Sequence, residues 1–162
     1  MRCGMPRART WRPGVPKPLV VDASLAFRLI LPGAHQAAVQ SLVVRWLAEG
    51  YELLAPSLWA YELTSALCKG VHFGQITAEE GERALVLAQR LGVQLIAPHD
   101  ELARSAFVWI LRLERAAAYD SFYLALAERL ECDLWTADRR LCNAVALPWV
   151  RLPDALSQKA GS

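Results

Sequence analysis

Short apolar runs recur along this chain, and each is followed by a stretch with helical periodicity. Leu19-Val20-Val21 is the first run, Tyr51-Glu52-Leu53-Leu54-Ala55 the second and Val93-Gln94-Leu95-Ile96-Ala97 the third. Asp133 to Thr136 and Trp149 to Leu152 follow. Runs this short, dominated by apolar residues, read as strands buried inside a parallel sheet. Between them, Leu25 to Leu31 reads as a short helix stopped by Pro32-Gly33, and His35 to Glu49 as a longer one ended by Gly50. The longer helix carries Val39, Leu42, Val43, Trp46 and Leu47 on one face. Ser57 is the expected N-cap of a helix running toward Gly70, and Thr77-Ala78-Glu79-Glu80 matches a capping box opening a helix to Leu91. Asp100 to Arg115 is expected to bury Leu102, Ala106, Trp109, Ile110 and Leu113, and Asp120 to Leu130 and Arg139 to Ala144 complete the helices. Strands alternating with helices over 162 residues predict one α/β domain around a mostly parallel sheet of four to five strands.

Composition narrows the function classes. A hydrophobic fraction of 54% with 21% charged residues describes a globular protein with an apolar surplus, part of it available for a self-association surface. No apolar run approaches the ~20 residues that span a bilayer, and the N-terminus lacks the apolar core of a signal peptide, so a cytoplasmic protein is expected. Five of the 18 basic side chains lie in residues 1–18, where there is no acid; the other 13 face 16 acids in the rest of the chain. This basic leader is rich in Pro and Gly and is expected to be disordered, as a floppy extension of the domain over 19–153, with 154–162 as a tail. Cys3, Cys68, Cys132 and Cys142 form no CxxC pair and the three histidines supply no zinc spacing. They read as reduced cysteines, Cys68 and Cys132 packed in helices.

Four carboxylates stand where the chain switches between strand and helix. Asp22 closes the first apolar run, Glu62 lies on an apolar helix, Asp120 opens a helix and Asp138 ends Leu134-Trp135-Thr136-Ala137. Capping explains Asp22, Asp120 and Asp138 singly, because an acid at a helix start accepts from free amides. It does not explain Glu62 among Leu58, Tyr61, Leu63 and Ala66, nor the set. In a parallel sheet, ligands bind beyond the carboxyl ends of the strands, where Asp22 and Asp138 fall. Carboxylates brought together there repel one another and need a cation, and a cation among carboxylates suggests phosphodiester chemistry. With side chains titrating near ~4, the quartet without its cation is expected to be strongly anionic and to repel a phosphodiester.

The strings Val20-Val21-Asp22-Ala23-Ser24, Tyr61-Glu62-Leu63-Thr64-Ser65-Ala66-Leu67, Ala118-Tyr119-Asp120-Ser121-Phe122-Tyr123-Leu124-Ala125-Leu126-Ala127 and Thr136-Ala137-Asp138-Arg139-Arg140-Leu141, in this order, closely resemble the PIN-domain family, and within it the VapC-type toxins of toxin–antitoxin pairs. The likeness covers about residues 19–153. It implies a three-layer α/β/α PIN-like sandwich and a metal-dependent ribonuclease whose acidic quartet is Asp22, Glu62, Asp120 and Asp138. Ser24 matches the small hydroxyl residue after the first acid and Thr136 the hydroxyl before the fourth. The resemblance also implies a structured RNA target of the transfer-RNA class, a small VapB-like antitoxin as partner, and a homodimer.

Mg²⁺, or Mn²⁺ in the same oxygen site, needs few carboxylates because it keeps several waters. Asp22 and Asp120 are assigned to direct metal binding, and Glu62 and Asp138 to binding directly or through water. Ser24 and Thr136 orient the carboxylates or water on the metal. Arg139 and Arg140 are candidates for RNA phosphate contact, with a solvated face or pairing to a site acid as the equal alternative. The six tryptophans read mainly as packing, with Trp59 and Tyr61 as candidates to face a partner. Two other classes compete. A phosphatase with Asp22 as nucleophile wants a second Asp where Ser24 stands, and a receiver domain wants a lysine late in the sheet, whereas the only lysines are Lys17, Lys69 and Lys159. A catalytically silent PIN-like module that binds RNA or protein is the alternative in which the quartet holds no metal.

Overall fold

The computed structural model describes residues 14–114 and 119–157. The element order is β1 (Lys17–Val21), α1 (Ala23–Ile30), α2 (Gln36–Ala48), β2 (Tyr51–Pro56), α3 (Leu58–His72), α4 (Ala78–Arg90), β3 (Gln94–Ile96), α5 (Asp100–Leu113), α6 (Tyr119–Arg129), β4 (Leu134–Trp135), α7 (Arg139–Val145), β5 (Val150–Arg151) and α8 (Asp154–Ser157). The expected alternation is present, and all five strands pair in parallel, in the order β3-β2-β1-β4-β5. The chain moves outward from β1 through β2 to β3 and then returns to the other side of β1. With right-handed crossovers, that reversal puts α1 to α4 on one face and α5 to α7 on the other. The packing agrees: α1 meets α2, α3 and α4, while α5 meets α6. The sandwich is therefore three-layered.

The core follows the sequence pattern. Val20, Leu134, Val39, Leu102, Ala106 and Leu124 are excluded from solvent, and β1 is buried from Leu19 onward. The strand begins at Lys17, two residues inside the expected leader, because Lys17 N–H reaches Gly50 O at 3.2 Å and Pro18 sits in register with Glu52. Gly50, at φ +79°, makes the turn from α2 into β2 that this pairing requires. The rest of the expected leader, residues 1–13, lies outside the described residues, as do 158–162 of the tail, whose first part is α8.

Four details differ from the sequence reading. Leu47 is half-exposed on α2, because Val39, Val43 and Trp46 already fill the face turned inward. Ser57 precedes α3 without capping it: its backbone is helical, and its N–H is spent on Ile96 O. Cys68 lies on the outer side of α3 and is exposed, whereas Cys132 is buried in the turn after α6. Trp59 is buried, so of the aromatic pair around Glu62 only Tyr61, 76% exposed, is available to a partner. Among the described residues no helix is long and apolar enough to cross a membrane.

Candidate active site

The reversal in strand order falls between β1 and β4, and Asp22 and Thr136 meet there. Asp22 N–H donates to Trp135 O at 2.9 Å, zipping the end of β1 to β4. Asp22 is 7% exposed and caps α1, its Oδ1 accepting from Ser24 N–H at 3.4 Å. Its Oδ2 accepts two hydroxyls, Ser24 Oγ–H at 2.6 Å and Thr136 Oγ1–H at 2.5 Å. Those hydroxyls accept in turn from the turn after β4, Ser24 Oγ from Ala137 N–H at 3.0 Å and Thr136 Oγ1 from Asp138 N–H at 2.9 Å. The amides fix the oxygens, so both hydroxyl protons are directed onto the carboxylate. Thr136 is 0% exposed, closed off from bulk solvent.

Asp138 begins α7 as its N-cap, Oδ1 accepting from Arg140 N–H at 2.8 Å and Leu141 N–H at 3.2 Å. Glu62 lies one turn into α3, and its Oε2 accepts from the Tyr123 hydroxyl at 2.6 Å. Asp120 is in the first turn of α6, three residues before Tyr123 and on the same side of the helix.

The acids feel one another. Burial pushes the Asp22 carboxyl above the ordinary range, against the pull of the Ser24 and Thr136 hydroxyls, and the Asp138 charge pushes it further. Burial raises Glu62 to about 7; the Tyr123 bond opposes the rise, and the charges of Asp22 and Asp120 add to it. Burial also raises the Tyr123 phenol and the Cys142 thiol, with the Asp22 charge acting on both, so both face the cluster. Asp22 thus lies within electrostatic reach of Asp138 and of Glu62, and Glu62 within reach of Asp120, at the carboxyl end of the sheet. Against the expectation of four ordinary carboxylates, burial and repulsion hold Glu62 at about 7 and Asp22 above the ordinary carboxylate range when no cation is bound.

The donor set consists of hard oxygens, as Mg²⁺ and Mn²⁺ prefer. Among the described residues no three Asp, Glu, His or Cys side chains stand together as a ready-made metal cage; Asp22, Glu62 and Asp138 are each turned to hydrogen-bond partners of their own. That placement still fits Mg²⁺, which binds through one or two carboxylates and otherwise keeps its waters.

Of the two candidates for RNA contact, Arg139 donates to Leu156 O, tying α8 to the start of α7, and Arg140 lies beside Asp138; both are exposed. His99 caps α5, Nδ1 accepting from Leu102 N–H at 3.3 Å. Tyr123 and Cys142 were missed by the sequence reading. The signal for Tyr123 was its place one helical turn after Asp120; Cys142, in a four-residue step from Asp138, had the same signal.

A family model described as PIN domain matches residues 19–147. Ribonuclease VapC9 of Mycobacterium tuberculosis is 34% identical over 125 residues, 77% of this chain and 89% of that protein. Among solved structures, M. tuberculosis VapC20, described as a sarcin-ricin loop cleaving toxin, superposes with a TM-score of 0.61 at 16% identity, covering 82% of this chain and 96% of the other. VapBC2 from Rickettsia felis, bound to a DNA fragment from its promoter, gives 0.62 at 14% identity, over 83% and 96%.

Proposed function

The chain belongs to the PIN-domain family and is of the VapC type, and on that premise we propose that it is a metal-dependent endoribonuclease, the toxin of a toxin–antitoxin pair. The observation that carries this reading is the seating of Asp22. A buried carboxylate at the switch point of a parallel sheet, held by two hydroxyls and with its pKa raised by burial and then by the charge beside it, is costly for folding alone.

Asp22 and Asp120 would hold Mg²⁺ or Mn²⁺ directly, and Glu62 and Asp138 directly or through water. When bound, such an ion neutralises the carboxylates and stabilises the charge that develops on a phosphate in the transition state. The chain's own residues do the arranging. Ser24 and Thr136 lock the Asp22 carboxylate in one rotamer, and the amides of Ala137 and Asp138 lock the two hydroxyls. The Asp138 cap holds its carboxylate at the mouth of the same site, with Arg140 next to it as the candidate for RNA phosphate.

A structured RNA is the substrate class this reading favours, with transfer RNA tested first and ribosomal loops second, since a loop is what the name of VapC20 describes. The partner is a small VapB-like antitoxin, as in the neighbouring VapBC2 assembly. A homodimer accounts for the apolar outer face of α5, where Phe107, Val108 and Leu111 are exposed. The cytoplasm, where such RNA is found, is the location this function requires.

The test is cleavage of total cellular RNA by purified, antitoxin-free protein in Mn²⁺ or Mg²⁺, with EDTA and Asp22→Asn as controls. Metal-dependent cutting that the substitution removes by at least about 100-fold is expected. Folded protein that neither cuts RNA nor binds Mn²⁺ would turn the reading toward a silent binding module.

A further inference from the structure

We infer that Tyr123 is a positioning residue that sets where the Glu62 carboxylate stands relative to Asp22, and so how tightly the site holds a divalent cation. The inference rests on the metal-dependent reading above and adds a residue to it. Tyr123 is 1% exposed, on the inner side of α6, and its hydroxyl donates to Glu62 Oε2 at 2.6 Å across 61 residues of sequence. The backbone of Ala23, the residue after Asp22, lies close enough to the same phenol to act on it. One oxygen therefore ties α6 to α3, beside the first residue of α1.

Packing alone does not require this hydroxyl, because a phenylalanine ring would fill the same space. Glu62, in contrast, needs a restraint. It is only half-buried, it has three rotatable bonds, and it is repelled by Asp22 and Asp120. Left to itself, its carboxylate would relax toward water and away from the other acids. A short bond from a buried donor selects the rotamer that keeps Glu62 in the cluster, and bonds of this kind, with an ionised acceptor, are among the stronger ones. Asp120 is carried on the same turn of the same helix, so the one side chain sets two of the four acids in register.

Mn²⁺ titration by calorimetry tests this on Tyr123→Phe, Glu62→Gln and the double variant, beside RNA cleavage kinetics and far-UV circular dichroism of the metal-free proteins. Tyr123→Phe is expected to weaken Mn²⁺ binding roughly 10- to 100-fold and lower kcat by a similar factor, with KM for RNA and the dichroism spectrum unchanged. In the Glu62→Gln background, where the carboxylate is gone, Tyr123→Phe should change Mn²⁺ affinity by less than about twofold. Tyr123→Phe that binds Mn²⁺ as tightly as the parent would overturn the inference and leave the ribonuclease reading intact. The same follows if it weakens binding equally in both backgrounds, or does not fold, since Tyr123 would then be a structural strut. Parent protein that binds no Mn²⁺ would overturn the reading itself, and the inference with it.

Discussion

Asp22 closes β1 onto β4 through its amide, while its carboxylate caps α1 and receives two hydroxyls whose own oxygens are held by the turn after β4. Thr136→Val keeps the shape and removes the O–H, leaving Asp22 one donor short and the Asp138 amide without its acceptor. Urea unfolding should show a loss of roughly 2 kcal/mol, and RNA cleavage should fall with it. Glu62 carries a pH dependence of definite sign. Its carboxyl is raised to about 7 in the fold, whereas in the unfolded chain it titrates in the ordinary range near ~4.3. Between those values the folded protein holds a proton that the unfolded chain has released, so metal-free stability falls as pH rises from about 4.5 to 7. Glu62→Gln should flatten this slope and gain roughly 1–2 kcal/mol at pH 8, discounted for the partial exposure of the group. Asp22, raised in the same direction, leaves part of the slope in place. Denaturant midpoints at pH 5, 6, 7 and 8 in EDTA decide it, and a Glu62→Gln curve parallel to that of the parent would refute the assignment.

At the scale of elements, local chemistry was legible where it was self-contained. Thr77 and Glu80 exchange both bonds of a capping box, Glu80 N–H to Thr77 Oγ1 at 3.1 Å and Thr77 N–H to Glu80 Oε2 at 2.7 Å, as the four-residue pattern implied. Thr77→Ala should cost about 1 kcal/mol in urea unfolding without altering RNA cleavage, since α4 lies away from the acids. Ser57 shows the opposite. The residue type suits an N-cap, but β3 claims its N–H and holds its backbone in the helical region, from which the hydroxyl does not reach the helix amides. A contact about 40 residues away overrides a preference read from the neighbours.

For the whole molecule, the apolar surplus is divided between a core and an outer face. Phe107, 59% exposed, and Leu111, 63% exposed, lie one turn apart on α5 with Val108 beside them. If this face is the dimer surface, Phe107→Lys with Leu111→Lys should convert a dimer to a monomer in sedimentation at tens of micromolar protein, with unfolding stability changed by less than about 0.5 kcal/mol. An unchanged sedimentation coefficient would place self-association elsewhere. Divalent metal should stabilise the molecule more at pH 8 than at pH 5, because binding draws on the deprotonated carboxylates. Melting scans with and without Mn²⁺ at the two pH values read this directly.

The order of strands and helices, the α/β class and the placing of three acids at strand ends and helix starts were determined by the sequence itself, because periodicity, capping and apolar run length act over a few residues. The family likeness rested on those same short strings. The tertiary structure alone decided the rest: that β4 returns to the side of β1 opposite β2, that Thr136 reaches Asp22 across 114 residues and Tyr123 reaches Glu62 across 61, and that burial lifts Asp22 above the ordinary carboxylate range and Glu62 to about 7. Each of these depends on which side chains share a desolvated space, and that is set by how the layers close over one another rather than by any residue's neighbours in the chain.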